Sequence, residues 1–214
     1  MSFIINIGRQ LASGGRAIAD ILARHYGITA YDRKIIELAA KESGLSQEFF
    51  ENADEKKSHG FFHSIFSARA AANALGGGDS FLSNDALFKV QSDIIRDLAE
   101  RESCIFVGRC ADYILREHPC CINLFFTADL QDRVARMAAE KGITAEQAEE
   151  LIEKTDRRRA DYYNYYSGQT WGAAENYDLC INTSHLGFEG TAKMLIEYID
   201  TRGKREEGRG KREE

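Results

Sequence analysis

Residues 3–16 read FIINIGRQLASGGR, and this stretch decides how the rest of the chain is interpreted. The run FIINI at 3–7 is apolar and rich in β-branched residues, which predicts a short buried strand. Residues 9–15 (RQLASGG) predict a loop, because glycines and small polar residues interrupt the apolar pattern. Over 16–26, apolar residues recur at helical spacing. The chain therefore opens with a strand, a glycine-rich loop and a helix.

The rest of the chain repeats this alternation of apolar runs and amphipathic segments. Further strands are predicted at 28–31, 103–107, 121–126 and 177–181. Helices are predicted at 33–41, 83–100, 111–116, 129–140 and 189–199, with another that is capped by Thr144 and runs to about Tyr166. Continuous apolar strands alternating with helices favour an α/β fold with a parallel sheet covered on both faces. Ligands of such sheets bind at the carboxyl ends of the strands.

Composition limits the class of protein. The chain has 214 residues, of which 43% are hydrophobic, and its net charge is −6. This charge argues against nucleic-acid binding through bulk electrostatics. No apolar run is long enough to cross a membrane, and the first residues do not resemble a secretory signal. We therefore expect a cytoplasmic protein with no membrane and no nucleic-acid partner.

Domain organisation is read from the same patterns. We expect one domain over 1–200, with a flexible insertion at about 59–82 where three consecutive glycines occur. The tail 201–214 is charged and glycine-containing, which predicts disorder.

The five cysteines form no CxxC pair, and no histidine set has metal-ligand spacing, so no metal site is predicted. Cys104, Cys121 and Cys180 lie in apolar runs, which favours buried structural thiols.

The loop chemistry indicates phosphate. Glycines let backbone N–H groups turn toward a phosphate, and the start of the next helix adds positive potential. A standard P-loop reads GxxxxGK[ST], whereas this loop contains no lysine. Two registers fit: Arg16 occupies the lysine position, or Gly15 occupies it and Arg16 follows. The alternative is a plain strand-to-helix turn. The predicted phosphate contacts are Arg9, Ser13, Gly14, Gly15 and Arg16.

Two further groups of charged residues are candidates for the site. Arg109 directly follows the predicted strand 103–107, and Asp112 lies three residues later, close enough to orient it or to form a surface ion pair with it. The segment 154–161 reads KTDRRRAD and is either a lid that carries arginines to phosphates or a solvated helix face. The tyrosines at 162–166 that follow favour packing of the lid on the core over stacking on a base.

Four segments together resemble one known family. They are IGRQLASGGRAIADILARHYGITAYDRKIIELAAKESGLS (7–46), IFVGRCADYIL (105–115), KTDRRRADYYNYYSGQTWG (154–172) and NYDLCINTS (176–184). In this order they resemble the cytidylate kinase-like family of P-loop nucleotide kinases, over about residues 3–200. The resemblance implies a P-loop NTPase-type parallel sheet flanked by helices, with a helical lid at about 144–175.

The resemblance also implies roles for individual residues. Asp32 and Arg33 would lie at the monophosphate acceptor, with Asp32 as the candidate general base, and Arg109 with Asp112 would bind the acceptor. Arg157 and Arg159 would stabilise the transferring phosphoryl group, and Arg16 would supply charge at the loop. The sequence departs from the family pattern at three points: it lacks the lysine, has Ala12 where relatives have glycine, and lacks the hydroxyl residue that normally follows the lysine.

Three functions follow as hypotheses. The first is phosphoryl transfer from ATP, with Mg²⁺, to a nucleoside monophosphate such as CMP. The second is a non-catalytic nucleotide sensor that has lost the lysine, and the third is a kinase of another small acceptor. All three require small-molecule nucleotides as partners.

Overall fold

The computed structural model describes residues 3–32 and 84–210. Its strands form one five-stranded sheet with the order β2-β3-β1-β4-β5. The strands are β1 (Ile4–Arg9), β2 (Thr29–Tyr31), β3 (Cys104–Val107), β4 (Cys121–Thr127) and β5 (Leu179–Asn182). Strand β1 pairs in parallel with β3 on one side and β4 on the other, and β4 pairs in parallel with β5. The predicted α/β class with a parallel sheet is confirmed.

The described helices occur where amphipathic segments follow the strands. They are α1 (Gly15–Tyr26), α2 (Asn84–Arg101), α3 (Ala111–Ile114), α4 (Leu130–Lys141), α5 (Ala145–Ser167) and α6 (Gly187–Gly210), with a 3₁₀ turn at Ala174–Asn176. The predicted capping box is present at the start of α5, where the side chains of Thr144 and Gln147 each accept a hydrogen bond from the other residue's backbone N–H. Among the described residues, no helix combines the length and apolar character needed to cross a membrane.

One apolar cluster fixes the strand and the helix on either side of the loop. Ile5 and Ile7 of β1 pack in one cluster with Leu22 of α1 and Leu195 of α6, and all four are fully or almost fully buried. Burial of one such side chain contributes about 1.5–3 kcal/mol. The ends of β1 and α1 are therefore held rigidly, and the loop between them has fixed anchor points.

The chain divides into two compact units, Met1–Ala30 with Ser103–Glu214, and Tyr31–Glu102. The first unit contains the loop and the four strands β1, β3, β4 and β5. In the second unit, the Tyr31 hydroxyl donates a hydrogen bond to the Glu102 carboxylate at 2.5 Å. The predicted helix 33–41, which includes Arg33, and the predicted insertion 59–82 lie outside the described residues.

The structure differs from the sequence predictions at both ends of the chain. Strand β1 continues through Gly8 and Arg9, which were predicted as the start of the loop, because they pair with Phe125 and Phe126 of β4. Helix α6 continues to Gly210, past its predicted end and into the tail that was predicted to be disordered. A helix that is already packed on the core elongates without a new nucleation cost, which offsets the low propensity of the tail glycines.

The cysteine prediction is correct for two of three thiols. Cys104 and Cys121 are buried, but Cys180 is exposed, so its predicted burial is wrong. Cys180 lies on β5, which is at the edge of the sheet, and successive side chains of a strand point to opposite faces.

Candidate phosphate-binding site

The loop between β1 and α1 has two left-handed backbone positions. Ala12 has φ of 60° and Gly14 has φ of 85°, with Ser13 between them. Gly14 is the N-cap residue of α1 and Gly15 is its first helical residue. Left-handed residues alternating with other conformations turn successive N–H groups to one side, which forms a concave anion site.

The carbonyl oxygens of this loop are held by hydrogen bonds to other parts of the protein. Four come from side chains distant in sequence and one from Ser13. Arg9 O accepts from Arg159 Nη1 (3.1 Å), Gln10 O from Ser13 Oγ (2.9 Å), Leu11 O from Arg133 Nε (2.8 Å), Ala12 O from Arg136 Nη1 (3.0 Å) and Ser13 O from Thr183 Oγ1 (2.8 Å).

These bonds engage the carbonyl oxygens from Arg9 to Ser13, and the N–H groups of Gln10, Leu11 and Ser13 are also bonded within the protein, so an anion would meet the N–H groups from Gly14 onward. The negative ends of the peptide dipoles are engaged by three arginines and two hydroxyls. The first N–H groups of α1 have no acceptor within the helix, as is true of every helix start. N–H groups at a helix start, together with the helix dipole, favour an anion. The geometry therefore suits a phosphate beside Ser13–Arg16.

Gly14 cannot be replaced without cost. Its φ of 85° is unfavourable for a residue with a Cβ, and a Cβ there would overlap the Phe188 ring. Ala12 takes a similarly left-handed conformation at the position where the resemblance expects glycine. The loop thus has a left-handed backbone at position 12 although alanine stands there in place of the expected glycine.

The side chain of Arg9 is held against two glycines. A Cβ on Gly15 would lie 2.8 Å from Arg9 Cβ and 3.0 Å from Arg9 Cγ. A Cβ on Gly108 would overlap the guanidinium of Arg9. Gly108 directly follows β3, and its N–H donates to Ile7 O at 2.9 Å. The Arg9 guanidinium therefore lies at the carboxyl ends of the central strand β1 and its neighbour β3.

Two other predicted loop residues are used differently from the expectation. Ser13 is fully buried, and its hydroxyl donates to the loop's own Gln10 carbonyl. The Arg16 side chain is 61% exposed, and its Nε lies 4.0 Å from Asp20 on the outer face of α1. Neither side chain is directed at the inner side of the loop by these contacts.

A buried ion pair that the sequence analysis missed supports the loop from behind. The Arg133 side chain is 6% exposed and forms an ion pair with Asp156, and Asp156 Oδ1 accepts a hydrogen bond from Leu11 N at 2.7 Å. Because Arg133 also donates to Leu11 O, the pair holds both polar groups of one peptide residue. The available sequence signal is weak: Arg133 precedes Val134 and Met137, which define the inner face of α4.

The two predicted lid arginines differ in position. Arg159 reaches the loop, where it donates to the Arg9 carbonyl. Arg157 forms an ion pair with Glu153 at 2.5 Å, and both side chains are about 70% exposed. Successive helix residues point in different directions around the axis, so only part of the basic cluster can face one ligand.

Arg109 and Asp112 follow β3 as predicted. Gly108, Arg109 and Cys110 are all left-handed, with φ of 80°, 63° and 55°, so the chain turns sharply before α3. The Asp112 carboxylate accepts a hydrogen bond from the Tyr163 hydroxyl of α5 at 2.7 Å. Burial raises the pKa of Asp112, although the Tyr163 bond opposes this effect. Burial also raises the pKa of Tyr163, and the charge of Asp112 adds to that shift.

Aromatic side chains join the segment after α5 to the first glycine of the loop region. The Trp171 ring meets the Phe125 ring edge-on at 5.2 Å, and Phe125 also packs on Tyr177 at 5.0 Å. A Cβ on Gly8 would lie 2.6 Å from the Phe125 ring. Among the aromatics after the basic cluster that were predicted to pack on the core, Trp171 packs on Phe125 and Tyr163 is buried, whereas Tyr165 is 72% exposed.

The remaining predicted site residue, Asp32, directly follows β2 in the second compact unit. Over residues 3–32 and 84–210, no group of three or more His, Cys, Asp and Glu side chains could hold a metal ion.

The parallel sheet, the glycine-rich loop between β1 and α1, and the flanking helices define a P-loop NTPase-type kinase fold. The chain belongs to the cytidylate kinase-like family, whose model matches residues 4–185. A cytidylate kinase of Methanopyrus kandleri is 25% identical over 208 residues, covering 97% of this chain and 98% of that protein. A cytidylate kinase of Thermococcus kodakarensis is 23% identical over 206 residues, covering 92% of this chain and 88% of that protein.

Solved structures agree on the fold. An uncharacterised protein from Eubacterium ventriosum aligns with a TM-score of 0.70 and 27% identity, covering 93% of this chain and 99% of that one. The shikimate kinase of Bacteroides thetaiotaomicron aligns with a TM-score of 0.52 and 10% identity, covering 92% of this chain and 98% of that one. Family membership and fold together support a nucleotide or small-molecule kinase activity.

Proposed function

We propose that this chain transfers a phosphoryl group from ATP to a nucleoside monophosphate, with CMP as the first acceptor to test. The observation that carries the proposal is the loop between β1 and α1, whose carbonyls from Arg9 to Ser13 all accept hydrogen bonds and which leads directly into the helix start at Gly14 and Gly15. The names of the relatives from Methanopyrus kandleri and Thermococcus kodakarensis, both cytidylate kinases, support the choice of acceptor.

The donor phosphates would bind at Ser13–Arg16. Phosphoryl transfer requires little covalent chemistry from a protein, because alignment and charge neutralisation supply most of the acceleration. The helix-start amides provide part of that charge, and Arg9 and Arg16 are the nearby cations from the loop sequence. Arg159 is favoured over Arg157 as the lid residue that reaches the transferring group, because its guanidinium already contacts the loop.

The acceptor would bind beside Arg109 and Asp112, and the roles of Asp32 and Arg33 rest on the resemblance alone. Arg109 follows a central strand, and a guanidinium can bind a phosphate with two parallel hydrogen bonds. Tyr163 links Asp112 to α5, so a ligand at the β3–α3 turn would be coupled to the predicted lid at 144–175. Asp32 stays the candidate for the general base.

The usual Mg²⁺ contact does not fit this loop. In GxxxxGK[ST] a hydroxyl residue follows the lysine and contacts the metal. Here Arg16 and Ala17 follow Gly15, and the Ser13 hydroxyl is bonded to the Gln10 carbonyl. We therefore assign no step to the metal beyond its arrival with the nucleotide.

A non-catalytic nucleotide-binding protein is the second candidate function. The observation that favours it is the absence of lysine from the loop. Such a protein would bind ATP or a monophosphate at the same amides without forming a diphosphate.

The test is product formation by the pure protein with ATP, Mg²⁺ and each of CMP, UMP, AMP and GMP, measured by chromatography. The Arg159→Met variant shows whether any product comes from a contaminating kinase. Arg24→Met, at an exposed position of α1, is its matched control. Diphosphate formation by wild type and by the control, with loss in Arg159→Met, is expected. Nucleotide binding without product would support the second candidate, and neither binding nor product would overturn both.

A further inference from the structure

The position of the missing lysine is occupied by another side chain. Position 14 requires glycine, because its φ is left-handed and a Cβ there would overlap the Phe188 ring. In GxxxxGK[ST] this glycine immediately precedes the lysine, so Gly15 corresponds to the lysine position. The side chain that would start at Gly15 Cα is blocked, because its Cβ would lie 2.8 Å from Arg9 Cβ.

Arg9 runs from that position to the end of β3. Its stem lies over Gly15, and its guanidinium lies against Gly108, where no Cβ is present. Arg159 holds the Arg9 carbonyl, and β4 pairs with the Arg9 backbone, so the base of the side chain is fixed. Two glycines, 15 and 108, thus make room for one arginine.

We infer that Arg9 is the phosphate-binding cation of this loop and takes the place of the P-loop lysine, an inference that rests on the proposed function. A lysine in a standard P-loop reaches the β- and γ-phosphates. The Arg9 side chain starts at the end of β1, and its stem crosses Gly15, which occupies the lysine position. Its guanidinium would therefore reach a phosphate on the same side of the loop as the lysine. It differs from an ammonium in that it can bind two phosphate oxygens at once.

Arg16 is the competing loop cation, and its position argues against this role. Its side chain is 61% exposed and lies beside Asp20, one turn along α1 on the outer face. Arg9 instead extends from the end of the central strand β1 to the end of its neighbour β3, at the edge of the sheet where ligands of parallel sheets bind. On this inference the loop keeps a phosphate-binding cation, which is supplied by Arg9 at the end of β1 instead of by a residue at the lysine position.

The first experiment measures ATP, ADP and AMP binding by calorimetry for wild type, Arg9→Met and Arg9→Lys. Methionine keeps an unbranched stem over Gly15 without charge, and lysine keeps the charge. We expect Arg9→Met to lose at least about tenfold in ATP affinity, because a charge-assisted bond to phosphate is removed. AMP affinity should change much less, and Arg9→Lys should retain most of the ATP affinity. Arg24→Met is the matched control for loss of one positive charge.

The second experiment tests the exchange of position directly. Gly15→Lys alone should lower the melting temperature, because the new Cβ collides with the Arg9 stem. Arg9→Gly combined with Gly15→Lys removes the Cβ and the stem that a Cβ at position 15 would meet, so this double variant should recover both the melting temperature and the preference for ATP over AMP relative to Gly15→Lys alone. Recovery of the melting temperature without recovery of the preference for ATP over AMP would show that Arg9 has only a packing role.

The outcomes distinguish a failure of the role assigned to Arg9 from a failure of the proposed function. If wild type binds ATP and Arg9→Met binds it equally well, Arg9 is not the cation and the proposed function stands. If wild type binds no nucleotide, the proposed function and this inference both fail. If the double variant does not fold, the comparison of Arg9→Met with Arg9→Lys decides alone.

Discussion

The Tyr163 hydroxyl donates a hydrogen bond to the Asp112 carboxylate at 2.7 Å, and this contact links the long helix α5 to the turn that follows β3. Both groups are largely buried, and burial raises the pKa of each. This hydrogen bond connects the turn after β3, where the acceptor is proposed to bind, with helix α5, which carries the basic cluster.

Asp112→Asn should make stability less dependent on pH. The pKa of Asp112 is raised in the folded protein, so the folded state binds its proton more tightly than the unfolded chain does. The resulting stabilisation is present at low pH, near the ordinary pKa, and is lost as the pH rises through the raised value. We therefore expect the melting temperature of the variant, relative to wild type, to be higher at about pH 7.5 than at about pH 4. Asp20→Asn, on the exposed face of α1, is the control; an equal pH trend in both variants would contradict the assignment.

Removing either member of the Arg133–Asp156 pair should be costly. The pair is buried and holds Leu11 by both its N–H and its carbonyl. Loss of one partner leaves an uncompensated buried charge, which costs about 3–5 kcal/mol. Arg133→Ala and Asp156→Ala should each lower the free energy of unfolding by that order in urea denaturation. Arg157→Ala, which breaks the exposed pair with Glu153, should cost no more than about 1 kcal/mol. Similar losses in all three variants would argue against a special role of the buried pair.

Gly14→Ala should be more damaging than the same change at another left-handed glycine. Gly142, the C-cap of α4, has φ of 65° and no atom near the place where a Cβ would lie. Gly142→Ala therefore pays only the backbone cost, about 1–2 kcal/mol. Gly14→Ala adds the collision with Phe188 and should abolish sulfate or nucleotide binding at the loop. Denaturation curves and anion titration measure the two effects, and retention of anion binding in a folded Gly14→Ala protein would contradict the site.

Arg109→Ala should weaken acceptor binding with little change in folding. Alanine and arginine both have a Cβ, so the left-handed backbone at this position is equally unfavourable for each. Loss of a charge-assisted phosphate contact costs about 2–5 kcal/mol when the partner stays buried. Affinities for a panel of monophosphates and the melting temperature should be measured beside Arg96→Ala, an exposed arginine on α2. Unchanged affinity in Arg109→Ala, with wild type binding at least one monophosphate, would remove Arg109 from the site.

The fold followed from sequence because its signals are local. Strand β1, the glycine pair and the amphipathic helix α1 are adjacent in the chain, and the other strands are short apolar runs bounded by turns. The capping box at Thr144 is equally local. The class of fold and the place of the loop therefore needed no knowledge of distant contacts.

The support of the loop did not follow, because it depends on side chains that meet only after folding. Arg133, Arg136 and Thr183 are ordinary residues in their own segments, and each binds a loop carbonyl more than a hundred residues away. The crossing of Arg9 over Gly15 was hidden for another reason. The strand was predicted to end before Arg9, and the direction of a side chain depends on whether its residue belongs to the strand.

The bond between the Thr183 hydroxyl and the Ser13 carbonyl spans 170 positions of the chain. During translation, at about 5–20 residues per second, β1 and the loop therefore leave the ribosome several seconds before the residues that shape them. Strand β1 cannot gain both neighbours until β4 has emerged, and its apolar side chains stay uncovered in the meantime. The nascent chain thus carries β1 without its two neighbouring strands until β4 is made, and an unpaired apolar strand is the kind of segment that chaperones shield from aggregation.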